Sequence, residues 1–332
     1  MTDFASLPDA VREALYDEPV PDWRSPTLAT LTDDRFSDPH WIFERKFDGM
    51  RCLAFRDGDR VRLVSRNRQP LNGTYPELVD ALAAQPVTRF VLDGEVVAFD
   101  GRLTSFARLQ GRLGLTDPDV ARASPVRVFY YVFDLLHLDG ASTVEVPLLW
   151  RKRLLRKAID FADPLRCAPH RVADGIAAYR RACERGDEGV IAKRADSTYQ
   201  SGRSKTWLKF KCVRDQEFVV GGYTSPKGSR VELGALMLGY YEGGDLVYAG
   251  KVGTGFDDAT LRRLHALLSP ITRDTPPFAR GLVREAGANW VSPEMVVQIG
   301  FSEWTRDGKL RHPRYLGMRT DKEPGEVVRE TR

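Results

Sequence analysis

The chain has 332 residues, of which 42% are hydrophobic and 29% charged, with 50 basic residues against 46 acidic ones. That length is too great for one small domain and short for three, so two domains are expected. The balance of apolar and charged residues excludes disorder, collagen and coiled coil as global descriptions, and a formal charge of +4 by itself says little about nucleic acid.

Residues 1–40 are rich in Pro and Asp and read as an extended lead-in around P-T-L-A at 26–29. Strands are predicted over 41–46, 51–56 and 61–65, with Asp48-Gly49 and Asp57-Gly58 as turns. A helix is predicted over 75–84, a strong strand over 90–99, a helix over 105–113 and a β-branched, aromatic strand over 126–136. Amphipathic helices follow over 150–161 and 174–185, then short strands over 189–193 and 207–212. Strands and helices mix without a regular βαβ alternation, which argues for α+β with antiparallel sheets. Beyond Arg214 the texture changes to short strands with Gly-rich turns (217–223, 235–241, 246–252, 295–304) and one helix over 258–268. That description fits a small β-barrel, of which the OB-fold is the commonest. The expected domains are 1–213 and 214–332, joined by a short hinge.

No apolar run reaches the roughly 18 residues that a membrane-spanning helix needs. The start, M-T-D-F-A-S-L-P-D-A, has neither a basic nor an apolar stretch, so no secretory signal and a cytoplasmic location are expected. Cys52, Cys167, Cys183 and Cys212 show no C-x-x-C spacing. A zinc knuckle has no support, and reduced core thiols are expected.

Seven segments carry possible chemistry. E-R-K-F-D-G-M-R at 44–51 places Lys46 at the end of an apolar strand. A lysine there can become a nucleophile if its surroundings remove its proton, and it can equally be a solvated strand end. S-R-N-R at 65–68 offers Arg66 as a phosphate grip or a basic turn. In V-L-D-G-E-V-V at 91–97, Asp93 and Glu95 share one strand face and need partners, a divalent metal or hydrogen bonds. V-F-Y-Y-V-F-D-L-L at 128–136 supplies aromatics that are mostly core, any one of which can stack on a base. D-E-G-V-I-A-K-R at 187–194 puts acids before a short apolar strand and Lys193 near its end. W-L-K-F-K at 207–211 projects Lys209 and Lys211 from one face, where they repel unless an anion lies between them. R-H-P-R-Y-L-G-M-R-T-D-K at 311–322 is a basic tail or a nucleic-acid patch.

Singly these signals are weak, but their order along the chain resembles the covalent nucleotidyltransferases, most closely ATP-dependent DNA ligases. Q-E-F-V-V-G-G-Y-T at 216–224 and V-G-T-G-F at 252–256 are similar to the ligase module of bacterial non-homologous end-joining ligases. The resemblance runs from about Pro26 to Lys322 and implies an adenylation domain followed by an OB-fold domain. It implies that Lys46 takes AMP from ATP, that Glu44 accepts from the adenine amino group and that Phe133 stacks on the adenine. Arg51 and Arg66 would hold the nucleotide and later the 5′-phosphate of the nick. Glu95 would contact the ribose or a metal, Glu188 a divalent cation (Mg²⁺ or Mn²⁺), and Lys193 the nucleotide. Lys209 and Lys211 would neutralise the α-phosphate, and Arg319, Asp321 and Lys322 would orient the pyrophosphate. The implied partners are nicked duplex DNA and, by analogy, a Ku-type end-binding protein. A monomer near the bacterial nucleoid, with no membrane association, is expected.

The first 40 residues leave no room for the helical DNA-binding domain of larger ligases, and no fused polymerase or nuclease module is expected. Rival readings are an NAD-dependent ligase, an RNA ligase or capping guanylyltransferase, and a non-catalytic DNA-binding module. Length and cysteine spacing argue against the first, the R-T-D-K ending against the second, and Lys46 with Glu95 and Glu188 against the third.

Overall fold

The computed structural model describes residues 4–212, 215–226, 232–281, 283, 285 and 287–330. The chain divides after Cys212 into two compact units. The principal elements of the first are β1 (Thr27–Leu31), β2 (Trp41–Arg45), β3 (Met50–Asp57), β4 (Arg60–Ser65), α1 (Pro76–Ala83), β5 (Arg89–Asp100), β6 (Val128–Leu138), α2 (Leu148–Ala158), β7 (His170–Val172), α3 (Gly175–Arg185), β8 (Gly189–Arg194) and β9 (Gly202–Lys211).

These strands form two sheets. The larger has eight strands and an antiparallel centre in the order β6-β5-β3-β4. The smaller has five, in the order β7-β2-β8-β9-β1, antiparallel except for β9 against β1. Side chains alternate across a strand, so each sheet has two unlike faces. On the larger sheet Cys52, Ala54, Leu63, Phe90 and Leu92 pack under Leu78 and Leu82 of α1 and Leu154 and Leu155 of α2. Its opposite face, with Leu53, Phe55, Val91, Val97 and Phe133, meets Trp207 of the smaller sheet and Tyr199. The outer face of the smaller sheet buries Phe43, Val190, Ala192 and Phe210 against Ala182 of α3.

The second unit contains β10 (Asp215–Thr224), β11 (Leu236–Glu242), β12 (Asp245–Val252), α4 (Asp258–Leu268), β13 (Ala288–Val291), β14 (Val296–Gly300) and β15 (Arg314–Met318). They belong to one seven-stranded antiparallel sheet. Its long strand β10 pairs with β11 on one side and with β14 and β13 on the other. Leu261, Leu264 and Leu268 of α4 close its core over Phe218, Leu236 and Val297. Among the described residues no ladder joins β12 to β15, so the strand pairing is that of an antiparallel sheet and does not itself draw the closed barrel expected from sequence.

Three local expectations change. The helix over 105–113 shrinks to Phe106–Leu109, capped by Ser105, whose hydroxyl accepts from the Arg108 amide at 3.2 Å. The strand over 295–304 breaks after Gly300 and resumes as Glu303–Trp304. The cysteines are not all reduced: Cys183 of α3 is joined to Cys212, just beyond β9, while Cys52 and Cys167 remain thiols. Spacing along the chain gives no hint of this, because the pair is separated by 29 residues and meets only through the α3–β9 packing.

Closing a loop of that separation stabilises a fold by about 3–4 kcal/mol in the chain-entropy description. Without reductant, alkylation in denaturant is expected to label only Cys52 and Cys167. Reductant, or Cys183→Ser, is expected to lower the urea midpoint, and the substituted protein should no longer respond to reductant. Four labelled cysteines in the unreduced protein would contradict the bond.

Candidate active site

The inner face of the smaller sheet collects motifs that lie far apart in sequence. Ile191 stands opposite Glu44, Lys209 opposite Ile191, and Trp207 opposite Lys193. The pairing of β2 continues past its end, since the Lys46 amide donates to Gly189 O at 3.0 Å. With a repeat of two, Glu44, Lys46, Ile191, Lys193, Trp207, Lys209 and Lys211 therefore share the face turned to the larger sheet.

Lys46 forms an ion pair with Glu188, and their side chains are 19% and 13% exposed. The neighbouring acid is spent on structure: Asp187 pairs with Arg45 at 2.8 Å and Arg185 at 2.7 Å. Gly189 holds φ +148°, and a Cβ there would stand 2.0 Å from Phe210 O, so only glycine lets β8 and β9 approach behind Glu188.

Across from this face, the larger sheet presents Arg51, Glu95 and Phe133. Arg51, expected to hold the nucleotide and the nick phosphate, has its fork closed on Asp93. Arg51 Nε and one terminal nitrogen donate to the two Asp93 oxygens at 2.5 Å each, and the same terminal nitrogen reaches Thr27 O at 3.2 Å. Asp93 also accepts from the Tyr199 hydroxyl at 2.6 Å. Burial opposes the charge on Arg51, but Asp93 more than offsets it and the guanidinium stays protonated. Glu95 stands opposite Arg51 on the β3–β5 ladder. Between the two acids, a Cβ on Gly94 would meet the Tyr130 ring at 2.5 Å, which accounts for the glycine of D-G-E.

Phe133 is buried and edge-on to Trp207, with centroids 5.9 Å apart. Lys193 Nζ lies 4.1 Å from the Phe133 centroid and 3.8 Å from that of Trp207, and Arg51 Cζ lies 4.7 Å from Phe133. A base stacked on Phe133 shares that ring with these cations.

Glu44 is 3% exposed and sits between two ammonium groups, Lys152 Nζ at 2.5 Å from one oxygen and Lys193 Nζ at 2.8 Å from the other. Burial alone would raise its pKa, but Lys152 and Lys193 hold it below the ordinary carboxylate value. Lys193 is pushed down to about 8, by burial first and by repulsion from Lys152, against the pull of Glu44. His170, opposite Glu44 on β7, is pushed down to about 4 by burial and by Lys152. Trp207 Nε1 and His170 Nδ1 are buried without a hydrogen-bond partner, beside the Glu44–Lys193 ion pair. Donors and an acceptor of this kind beside two aromatic rings suit the polar edge of a nucleobase.

Arg66 follows β4 in a half-exposed turn. In the second unit Arg319 forks onto Asp321 at 2.8 and 2.7 Å just beyond β15, and Lys322 pairs with Glu217 of β10 at 3.2 Å. Sequence reasoning missed Lys152, His170 and Tyr199. An unusually buried lysine on an amphipathic helix carries no motif, and His170 lies on a three-residue strand that no periodicity reveals.

Residues 26–211 match the family described as ATP dependent DNA ligase domain, and residues 229–322 match the ATP dependent DNA ligase C terminal region. The chain belongs to the ATP-dependent DNA ligases. A solved structure described as mycobacterial DNA ligase D complexed with ATP and MES is similar to this ligase with a TM-score of 0.65 and 35% identity, over 92% of this chain and 98% of that one. The multifunctional non-homologous end joining protein LigD of Pseudomonas aeruginosa is 37% identical over 321 residues, which is 94% of this chain and 37% of that protein. Its counterpart in Mycobacterium tuberculosis is 38% identical over 312 residues, 92% of this chain and 40% of that protein. The ligase thus spans well under half the length of these two relatives.

Two outcomes follow from the Glu44 cluster. Glu44→Gln leaves two buried ammonium groups without their shared counter-charge and is expected to cost about 3–5 kcal/mol in urea denaturation. His170 contributes an acid limb: its folded pKa of about 4 lies below the ordinary 6.5. Between those values the unfolded chain binds a proton that the folded one refuses, so stability falls as pH drops from 6.5 toward 4. His170→Gln should flatten that part of the melting-temperature profile; an unchanged slope would place the acid sensitivity elsewhere.

Proposed function

We propose that this ligase seals 5′-phosphate/3′-hydroxyl nicks in duplex DNA through an adenylyl group carried on Lys46. The observation that carries the reading is the convergence of Lys46, Lys209 and Lys211 on one sheet face, with Glu188 paired to Lys46, beside a buried acceptor and donor suited to a base edge. In the first step the lone pair of Lys46 Nζ attacks the α-phosphorus of ATP. An N–P bond forms, the bond to the β-phosphate oxygen breaks, and pyrophosphate leaves. An ammonium cannot attack, so its proton must go first, and Glu188, already paired with it, is the nearest base. In the second step an oxygen of the 5′-phosphate displaces Lys46 from the AMP. In the third the 3′-hydroxyl attacks that 5′-phosphorus and AMP departs.

Phosphoryl transfer is governed by positioning and charge neutralisation. Lys209 and Lys211 supply cations toward the α-phosphate. Glu44 and Lys193 read the adenine edge, Phe133 flanks the ring, and Arg51 holds this wall in place through Asp93. Arg66 is left for the nucleotide or the nick phosphate, and Arg319, Asp321 and Lys322 for the pyrophosphate.

No group of three or more metal-binding side chains exists among the described residues. Mg²⁺ characteristically takes one or two carboxylates together with substrate phosphates, and Glu95 and Glu188 fit that mode. A Mg²⁺ or Mn²⁺ ion so held would neutralise phosphate charge.

The second unit, with its seven-stranded sheet and one helix, is read as an OB-type module. A nick can lie in any sequence, so contacts to DNA should be mainly to phosphates and sealing should weaken with salt. The names of its relatives support a role in end-joining repair. On that reading a Ku-type protein and separate end-processing enzymes are its partners, and it works as a monomer in the cytoplasm around the nucleoid.

Mass spectrometry after incubation with ATP and Mg²⁺ is expected to show one AMP on Lys46. Lys46→Ala should show none and lose sealing, while still binding nicked DNA. Labelling by GTP or NAD in place of ATP, or AMP on another side chain, would overturn the assignment. Truncation after Asp307 should block adenylation from ATP yet leave sealing by pre-adenylated protein; normal adenylation by the truncated chain would remove Arg319 and Lys322 from the first step.

A further inference from the structure

The geometry points to Lys152 as a positioning residue for nucleobase selection: it pins the Glu44 carboxylate in the one place where it distinguishes adenine from guanine. This rests on the proposed reading of Glu44 and Lys193 as the groups facing the base edge.

Lys152 lies on α2, outside every motif and off the sheet face that carries the chemistry. It is 2% exposed, pairs with Glu44 at 2.5 Å and donates to Phe133 O at 3.1 Å. One ammonium thus ties the carboxylate that would read the base to the backbone of the residue whose ring flanks it. Its own anchor is firm. The adjacent Arg151 is fully buried, grips both oxygens of Asp134 at 2.7 and 2.8 Å, and donates to Val146 O and Ser197 O at 2.6 and 3.0 Å. Burying an ammonium is costly, and apolar residues in place of the whole buried cluster would serve the packing at least as well, so stability alone does not call for a lysine here.

Selection needs such an anchor because the chemistry of the pair is ambiguous. Adenine offers an amino donor beside a ring-nitrogen acceptor; guanine offers a carbonyl acceptor beside a ring N–H donor. One carboxylate and one ammonium can satisfy either base, in opposite order. What discriminates is where each group stands. Lys193 is held by its strand and by the Phe133 and Trp207 rings, at 4.1 and 3.8 Å. Glu44 is held by a cation on each oxygen. Remove Lys152, and the carboxylate can turn both oxygens to Lys193, so the order of acceptor and donor is no longer enforced.

The test is single-turnover adenylylation of the full chain, comparing ATP, GTP and purine riboside triphosphate, which is ATP without its 6-amino group. Lys152→Met, folded by circular dichroism, should lose about tenfold or more of the wild-type preference for ATP over both competitors. Lys152→Arg, which keeps the charge, should restore most of it. A purely structural role would lower the rate or the active fraction for all three nucleotides alike, leaving the ratios as in wild type, and that result overturns the proposal. If Lys152→Met does not fold, Lys152→Gln carries the same comparison. The reading beneath fails separately and visibly: wild type labelled equally by ATP and purine riboside triphosphate would mean that Glu44 does not sense the amino group.

Discussion

A row of ammonium groups cannot be held on one sheet face unless negative charge lies among them. The inner face of the smaller sheet carries Lys46, Lys193, Lys209 and Lys211, and α2 adds Lys152. Arg51 enters from the sheet opposite. In reply the fold supplies Glu44, Glu188, Asp93 and Glu95, each placed by strand register rather than by proximity in sequence. This arrangement explains why the outer face is so apolar. Phe43, Val190, Ala192 and Phe210 must hold the sheet against α3 because the inner face contributes repulsion as well as packing. It also explains the glycines: where β8 meets β9, and where β5 meets β6, backbones close up so that the charged residues beside them stand at fixed height.

Much of this was legible in the sequence, and the reasons differ by element. Strands β2, β3, β5 and β8 declare themselves by alternation or by β-branched runs, and their motifs end where strands end. The two central helices of the first unit follow from apolar spacing. What sequence could not show was pairing. The parallel contact of β1 with β9 joins segments more than 170 residues apart, as in the Thr30 hydroxyl to Ser204 O bond. The short strand β7, which puts His170 across from Glu44, has no periodicity to find. The Cys183–Cys212 bond likewise depends on where α3 lies over β9.

For the site, residue types were legible and their partners were not. Arg51 illustrates the point. An arginine after a tight turn reads as a phosphate grip, and only the register of β3 against β5 reveals that Asp93 fills its fork. Asp93 is fully buried, so an unpaired carboxylate there would be prohibitive and the pairing follows from burial rather than from catalysis. Lys152 makes the opposite case: a residue with no signature whose role emerges solely from what it touches.

The two acid–lysine groups, Glu44 with Lys152 and Lys193 and Glu188 with Lys46, differ in a way that desolvation decides. The side chains of Glu44 and its lysines are 2% exposed, whereas those of Lys46 and Glu188 are 19% and 13% exposed. Separating charges that have already lost their water leaves each uncompensated, so the Glu44 cluster behaves as fixed scaffolding. A pair that still touches solvent can exchange partners at lower cost, since water or an arriving ion takes up each charge as it is released. On the proposed assignment, the permanent ion pairs stand where the base edge would be read and the exchangeable one at the amine that would give up a proton. Reversing the two would leave the Glu44 carboxylate loose and lock the Lys46 amine to Glu188. The gradient of burial from Glu44 on β2 to Lys46 just past its end would then separate recognition from reaction over two residues.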